Sequence, residues 1–169
     1  GNGEIGEDIT HNARFFRNIP LKIDFKEELV LRGEAVISFK DFRIINEDLP
    51  PEDKYKNPRN LCSGTVRQLN SEISAKRNVN FIAFALFKAV GKDFGDDKNE
   101  RFAWLETMGF ECVERKEVTS DNIEAAVREF EDKIPHNPYA TDGLVLTFSS
   151  VEYSESLGTT AKFPRDSIA

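Results

Sequence analysis

The chain has 169 residues, of which 39% are hydrophobic and 31% charged, the size and apolar content of one ordinary globular domain. Its 23 Lys and Arg against 30 Asp and Glu leave a net charge of −7, which argues against the uniformly basic surface of a non-specific nucleic-acid coat while leaving room for a local basic groove. No apolar run approaches the roughly 20 residues that a membrane-spanning helix requires.

Cys62 and Cys112 stand fifty residues apart, with no C-x-x-C spacing and no clustered His. That argues against zinc within this chain and for free, reduced thiols in a cytoplasmic protein. Fourteen Phe against one Trp and one Met make packing the default role of the aromatic rings.

In chain order, Gly1-Asn2-Gly3 reads as the tip of a tight hairpin, since Asn-Gly tolerates positive φ. No cationic segment followed by an apolar stretch marks a secretory signal. Asp8 and Thr10 predict a capped helix reaching about Asn18, stopped by Pro20. ELVLRGEAVIS (28–38) predicts a strand with a polar interruption at Arg32-Gly33-Glu34. Ser38 opens a helix with Phe39, Phe42 and Ile45 on one face, and a charged, Pro-containing loop spans 47–56.

Pro58 disfavours a helical Asn57 and suits a first helical turn itself, so NPRN predicts a helix through about Leu69. VNFIAFALFKAV (79–90) predicts a central strand buried on both faces. Residues 101–110 and 120–134 fit amphipathic helices, the second capped by Ser120, with a short strand in CVERKEV between them. GLVLTFS (143–149) predicts a strand, 150–157 a short helix, and the end a partial strand. Both ends read as cut, so the chain is expected to be the middle of something longer.

Three constellations carry chemistry. Arg59 and Arg67 stand eight residues apart in NPRNLCSGTVRQL, either as solvated surface charges or as an anion site at a helix start. Arg32-Gly33-Glu34 inside an apolar strand implies an edge, a bulge or a floor where a ligand nears the backbone, against a plain surface ion pair. Asp142-Gly143 puts a carboxylate at a strand entrance, where a simple turn is the alternative. His11 and His136 are isolated. No Walker loop, Rossmann fingerprint or hydrolase elbow is present. Lys22-Ile23-Asp24-Phe25 comes nearest to a lysine-nucleophile signature but lacks its glycine.

Taken together, GNGEIGEDITHN, LRGE, NPRN with SGTVRQL, ATDGLVL and LGTTAKFPRDSIA resemble, in order and approximate spacing, the adenylation (nucleotidyltransferase) domain of bacterial NAD-dependent DNA ligases. The resemblance covers essentially all 169 residues. It implies an α+β covalent nucleotidyltransferase fold, with mixed, largely antiparallel sheets and flanking helices. It also implies NAD and Mg²⁺ as cofactors, nicked duplex DNA as partner, a role in DNA replication and repair, and a cytoplasmic monomer. Zinc would belong only to a domain outside this chain.

In that family a lysine of a Lys-x-Asp-Gly motif takes AMP from NAD and passes it to a 5′-phosphate at the nick, where a 3′-hydroxyl displaces it. By this resemblance Glu34 contacts the adenylate, Asp142 stands near the phosphate or its metal, and Gly143 joins the cofactor site. Glu34 and Asp142 are the metal carboxylates, Arg59 serves the nucleotide and DNA, and Arg67 serves DNA.

The departures point the other way. Residues 1–169 hold no Lys-x-Asp-Gly, which is expected upstream of Gly1, and the last motif's lysine is expected beyond Ala169. Thr147 stands where the family usually has a nucleotide-contacting lysine, no arginine lies between Lys133 and Asp142, and Asp166 replaces a tryptophan. A charged hydrogen bond is worth about 1.5–3 kcal/mol, so loss of the lysine implies ten- to a hundred-fold weaker adenylate stabilisation unless something compensates. The chain alone is expected to be inactive. The alternative is a degenerate ligase-like module that binds nucleotide or DNA without ligation. An ATP-dependent or RNA ligase is a third reading, which NPRN and Arg-Gln-Leu disfavour.

Overall fold

A computed structural model describes residues 5–160 and 164–169. The expected hairpin tip at Gly1-Asn2-Gly3 lies outside the described residues. So do three positions, 161–163, of the LGTTAKFPRDSIA stretch.

The main sheet pairs β1 (Leu29–Val36) with β2 (Asn80–Ala89), antiparallel, from Leu29 opposite Ala89 to Val36 opposite Asn80. The register shifts between Val30 and Leu31 and again between Arg32 and Gly33, so the polar interruption is a bulge. A Cβ on Gly33 would stand 2.3 Å from the Phe81 ring and 2.5 Å from the Ile82 carbonyl oxygen. The glycine thus admits an intramolecular neighbour, the ring of Phe81.

The second edge of β2 is met by irregular chain. The Ala83 N–H donates to Glu111 O and the Val113 N–H to Ala83 O, both at 2.8 Å. The Asn18 amide imitates a strand, accepting from Phe81 N at 2.6 Å and donating to Phe81 O at 2.9 Å.

Helix starts follow local chemistry. α1 (Thr10–Ala13) is shorter than expected, because the Arg17 N–H is drawn to Val79 O at 2.8 Å and places Phe16 in the core. The Ser38 hydroxyl accepts from Asp41 N and opens α2 (Phe39–Glu47). Pro51–Asp53 forms a single 3₁₀ turn in the loop that follows. The Asn57 side chain accepts from Asn60 N and opens α3 (Pro58–Val66).

α3 ends before Leu69 because the buried Asn12 amide donates to the carbonyls of Val66 and Gln68, at 2.9 and 2.8 Å. A separate short helix, α4 (Ser71–Ala75), then follows, capped by Asn70.

α5 (Lys98–Thr107) starts at the Asp97 cap, ahead of the expected start at residue 101. α6 (Ile123–Lys133) takes Asn122 at its N-cap position instead of Ser120, whose hydroxyl bonds to Asp121. The strand expected over 112–118 reduces to one bridge at Cys112. Its charged residues turn sideways instead: Arg115 pairs with Glu106 on α5, while Lys116 and Glu114 pair with Glu129 and Lys133 on α6. The strand expected over 143–149 keeps only β3 (Leu146–Thr147), paired antiparallel with β4 (Ser167–Ile168). Between them lies α7 (Val151–Leu157), capped by the Ser150 hydroxyl.

Two apolar clusters share Phe81 at their border. Phe16, Ile37, Leu61, Cys62 and Val79 gather under α3, while Ala83, Leu86 and Leu105 gather under α5. Trp104 meets Phe25 and Phe94 edge to face, each at 5.1 Å, a favourable aromatic geometry. β2 is not buried on both faces: Phe84 and Phe87 are 45% and 58% exposed, and the Arg32 guanidinium lies 4.6 Å over the Phe87 ring. The architecture is therefore α+β with small antiparallel sheets. No helix among the described residues is long and apolar enough to cross a membrane.

Candidate functional site

Arg59, the second residue of α3, meets Asp142 across 83 positions of sequence, with Nη1 3.2 Å from Oδ2. Asn57 and Pro58 set the helix start that carries Arg59. Asp142 is approached through a braced loop, where Asn137 donates to the Thr141 hydroxyl and accepts from Tyr139 N. Gly143 follows at φ +156°, with open space around its missing Cβ.

The two side chains are 70% and 85% exposed. Exposed pairs contribute little stability, so the scaffold holds this pair rather than the reverse. An arginine in water beside one carboxylate is free to exchange that partner for a phosphate, whose oxygens match its donor fork.

Arg67 stands at the other end of α3, about 12 Å along the axis from Arg59, and its Nε pairs with Glu7 at 3.1 Å. The two arginines therefore face separate partners. Glu34 is exposed on β1, next to Gly33 and opposite Ile82. Its strand packs on α3, where Cys62 Sγ donates to Ala35 O at 3.1 Å. Burial, with the Glu34 charge adding to it, pushes the Cys62 thiol up to about 12. Glu34 and Arg59 are thus carried by two elements packed on each other.

The residues that depart from the family pattern form one unit around a side chain the sequence did not single out. Lys98 Nζ lies 2.6 Å from Asp166 Oδ2 and 3.0 Å from Thr147 Oγ1. The Thr147 hydroxyl donates to Asp166, and the Ser167 hydroxyl donates to Asp166 Oδ1 at 2.8 Å with its oxygen 3.2 Å from Thr147 Oγ1. The Lys98 backbone N–H also donates to Ser149 O at 2.9 Å. Burial raises the Asp166 carboxyl, but hydrogen bonds from Lys98 and Ser167 and the Lys98 charge outweigh it and hold the group at about 2.

Beside this unit, Asp96 accepts from Glu152 N and the Ser150 hydroxyl, which lowers its carboxyl in that order of effect. Lys98 sits in the run DDKNE, which reads as ordinary helix-start charge. No local signal sets it apart, because its partners lie 49 and 68 positions away.

Among the described residues no group of three or more His, Cys, Asp or Glu is placed to hold a metal ion.

A sequence profile of the family described as "NAD-dependent DNA ligase adenylation domain" matches residues 1–169. The chain is 53% identical over 170 residues to a protein named DNA ligase from Lachnoclostridium phytofermentans and, again 53% over 170, to one from Ruminiclostridium cellulolyticum. A protein of the same name from Bacillus cereus is 37% identical over 173 residues. Each match covers 100% of this chain and 26% of the relative, so the chain spans about a quarter of their length. Matched from end to end by that profile, with an arginine of NPRN against the aspartate of ATDG in its fold, the chain belongs to the NAD-dependent DNA ligase adenylation-domain family.

Proposed function

We propose that residues 1–169 are part of a nucleotidyltransferase-fold domain in a longer protein that seals nicks in duplex DNA with NAD as the AMP donor. The first step forms a bond between a lysine amine and the α-phosphorus of NAD. The bond from that phosphorus to nicotinamide mononucleotide breaks, leaving AMP on the lysine. AMP then moves to the 5′-phosphate at the nick, and the 3′-hydroxyl displaces it as the strand closes.

The observation that carries this reading is the Arg59–Asp142 contact, which joins residues of two motifs otherwise 83 positions apart. In the proposed roles Arg59 offers its fork to phosphate oxygens as charge accumulates there. Arg67 serves the DNA backbone, Glu34 contacts the adenylate, and Gly143 leaves its backbone open to close approach. Mg²⁺, when bound, neutralises phosphate charge. Glu34 and Asp142 would be the residues to hold it, through the hard carboxylate oxygens that it favours. The protein is further proposed to act as a cytoplasmic monomer.

None of the chain's lysines sits in a Lys-x-Asp-Gly sequence, so these residues alone are expected to stay unmodified. The test is intact mass of the full-length parent before and after incubation with NAD and Mg²⁺. Gain of one AMP, abolished on mutating the motif lysine, supports the proposal. A folded parent that carries this lysine and gains nothing overturns it.

A second reading, a ligase-like module that binds DNA without sealing it, is favoured by the uncharged Thr147 and by the anchoring of Lys98 on Asp166. It predicts salt-dependent binding of nicked duplex by a parent that takes no AMP.

A further inference from the structure

A cleft of about 710 Å³ opens between the start of α2 and residues 135–139. None of Glu34, Arg59, Arg67, Asp142 and Gly143 lines it. Arg17, Lys40 and Arg43 stand on its rim, exposed, and the buried Asn80 lies in its wall. The Phe39 N–H closes one end by donating to Pro138 O at 2.9 Å.

The charges in this cleft are unbalanced. Among the described residues, the side chains of Arg17, Lys40 and Arg43 make neither ion pair nor hydrogen bond. The one carboxylate lining the cleft, Asp41, is already engaged by the Ser38 hydroxyl and by Asn78 Nδ2, at 2.5 and 2.8 Å. Three cations share one concave space with a single lining carboxylate, Asp41, whose charge Arg17 and Lys40 already meet in part, so positive charge is left in excess for an entering anion. Lys40 and Arg43, three positions apart on α2, share a helix face, and Arg17 approaches from a separate segment. Backbone phosphates of a nucleic-acid strand suit such a set, because contacts of this kind need cations along a groove and no base-specific geometry.

We propose that this cleft is a second phosphate-binding groove, which takes the backbone of the duplex at a distance from the Arg59–Asp142 pair. The inference rests on the nick-sealing reading for its partner. Residues 135–139 run on to Asp142, so groove and pair are joined by one short stretch of chain. Sequence reading missed the groove because its three cations are spread over residues 17–43 among other charged residues of both signs.

The experiment is fluorescence anisotropy of the full-length parent with a labelled nicked duplex over a series of salt concentrations. Arg17→Gln, Lys40→Gln and Arg43→Gln are compared with wild type, and Arg128→Gln on α6 serves as a surface control. Each cleft substitution is expected to weaken binding and lower the salt slope by about one. Arg17→Lys and Arg43→Lys should retain the slope, as should the control. Unchanged slopes in cleft variants that melt like wild type overturn the proposal. So does loss of NAD affinity at unchanged DNA affinity, which would make the cleft a nucleotide pocket. A wild-type parent that binds no nicked duplex brings down the nick-sealing reading along with the groove.

Discussion

The ammonium of Lys98 lies 2.6 Å from the carboxylate of Asp166, joining the first residue of α5 to the residue before β4 across 68 positions. The Asp166 side chain is 10% exposed, and its carboxyl falls from 3.8 to about 2 on folding. A depressed carboxyl favours the folded state when ionised. Its contribution, about 2 kcal/mol, is complete above pH 3.8 and is lost as pH falls through about 2. Asp166→Asn should therefore be less stable near pH 6, and its stability should vary less between pH 4 and 2. Urea unfolding of both proteins across that window checks this, and parallel curves would remove Asp166 from the account.

Arg59 and Asp142 should separate stability from activity. Because both are mostly exposed, Arg59→Ala is expected to shift unfolding by about 0.5 kcal/mol or less. AMP transfer by the full-length parent should fall by roughly a hundredfold, the scale of losing one phosphate-directed donor. Thermal melts alongside single-turnover adenylylation decide it. Equal, small effects on both would leave Arg59 a surface charge.

Gly33→Ala tests the bulge. The added methyl would meet the Phe81 ring at 2.3 Å and the Ile82 carbonyl at 2.5 Å, overpacking expected to cost about 1–3 kcal/mol. Phe81→Leu should recover only part of the loss, since the carbonyl contact remains. Full tolerance of alanine in a denaturant titration would show that the strand moves aside.

The thiols should be inert in the folded protein. Burial raises Cys62 to about 12 and Cys112 to about 11, with neighbouring carboxylates adding to both. At pH 8 almost no thiolate is present, and the thiolate is the reactive form. A disulfide reagent should react roughly a hundredfold or more slowly than with unfolded chain. Rapid labelling of Cys112 under native conditions would contradict its environment.

The parts of the fold legible in the sequence were those set by neighbours in the chain. Ser38, Asn57 with Pro58, and Ser150 each announced a helix start, because a cap bonds within three residues. The apolar residues on either side of Arg32-Gly33-Glu34 in 28–38 marked β1. Chain-distant partners decided the rest: Asn12 ended α3, Asn18 took an edge of β2, and the ion pairs of 114–116 pulled an expected strand away from the sheet.

The site divides in the same way. Motif spacing named Arg59 and Asp142, while their contact needed the fold. Lys98 was invisible because nothing beside it in sequence distinguishes it from any solvated lysine.

The buried amide of Asn12 bears on the order in which this chain assembles. Its two bonds to the end of α3 span 54 and 56 positions, and contacts between segments so far apart tend to form late. The segment from Ile9 to Arg17 would then dock on an already formed α3 and β2, acting as a bolt rather than a nucleus. Asn12→Ala, which removes the amide from the Val66 carbonyl and leaves Gln68 O to His11 Nε2, should speed unfolding by roughly tenfold or more while leaving the refolding rate nearly unchanged. Stopped-flow kinetics showing slowed refolding instead would make this N-terminal turn an early participant in folding.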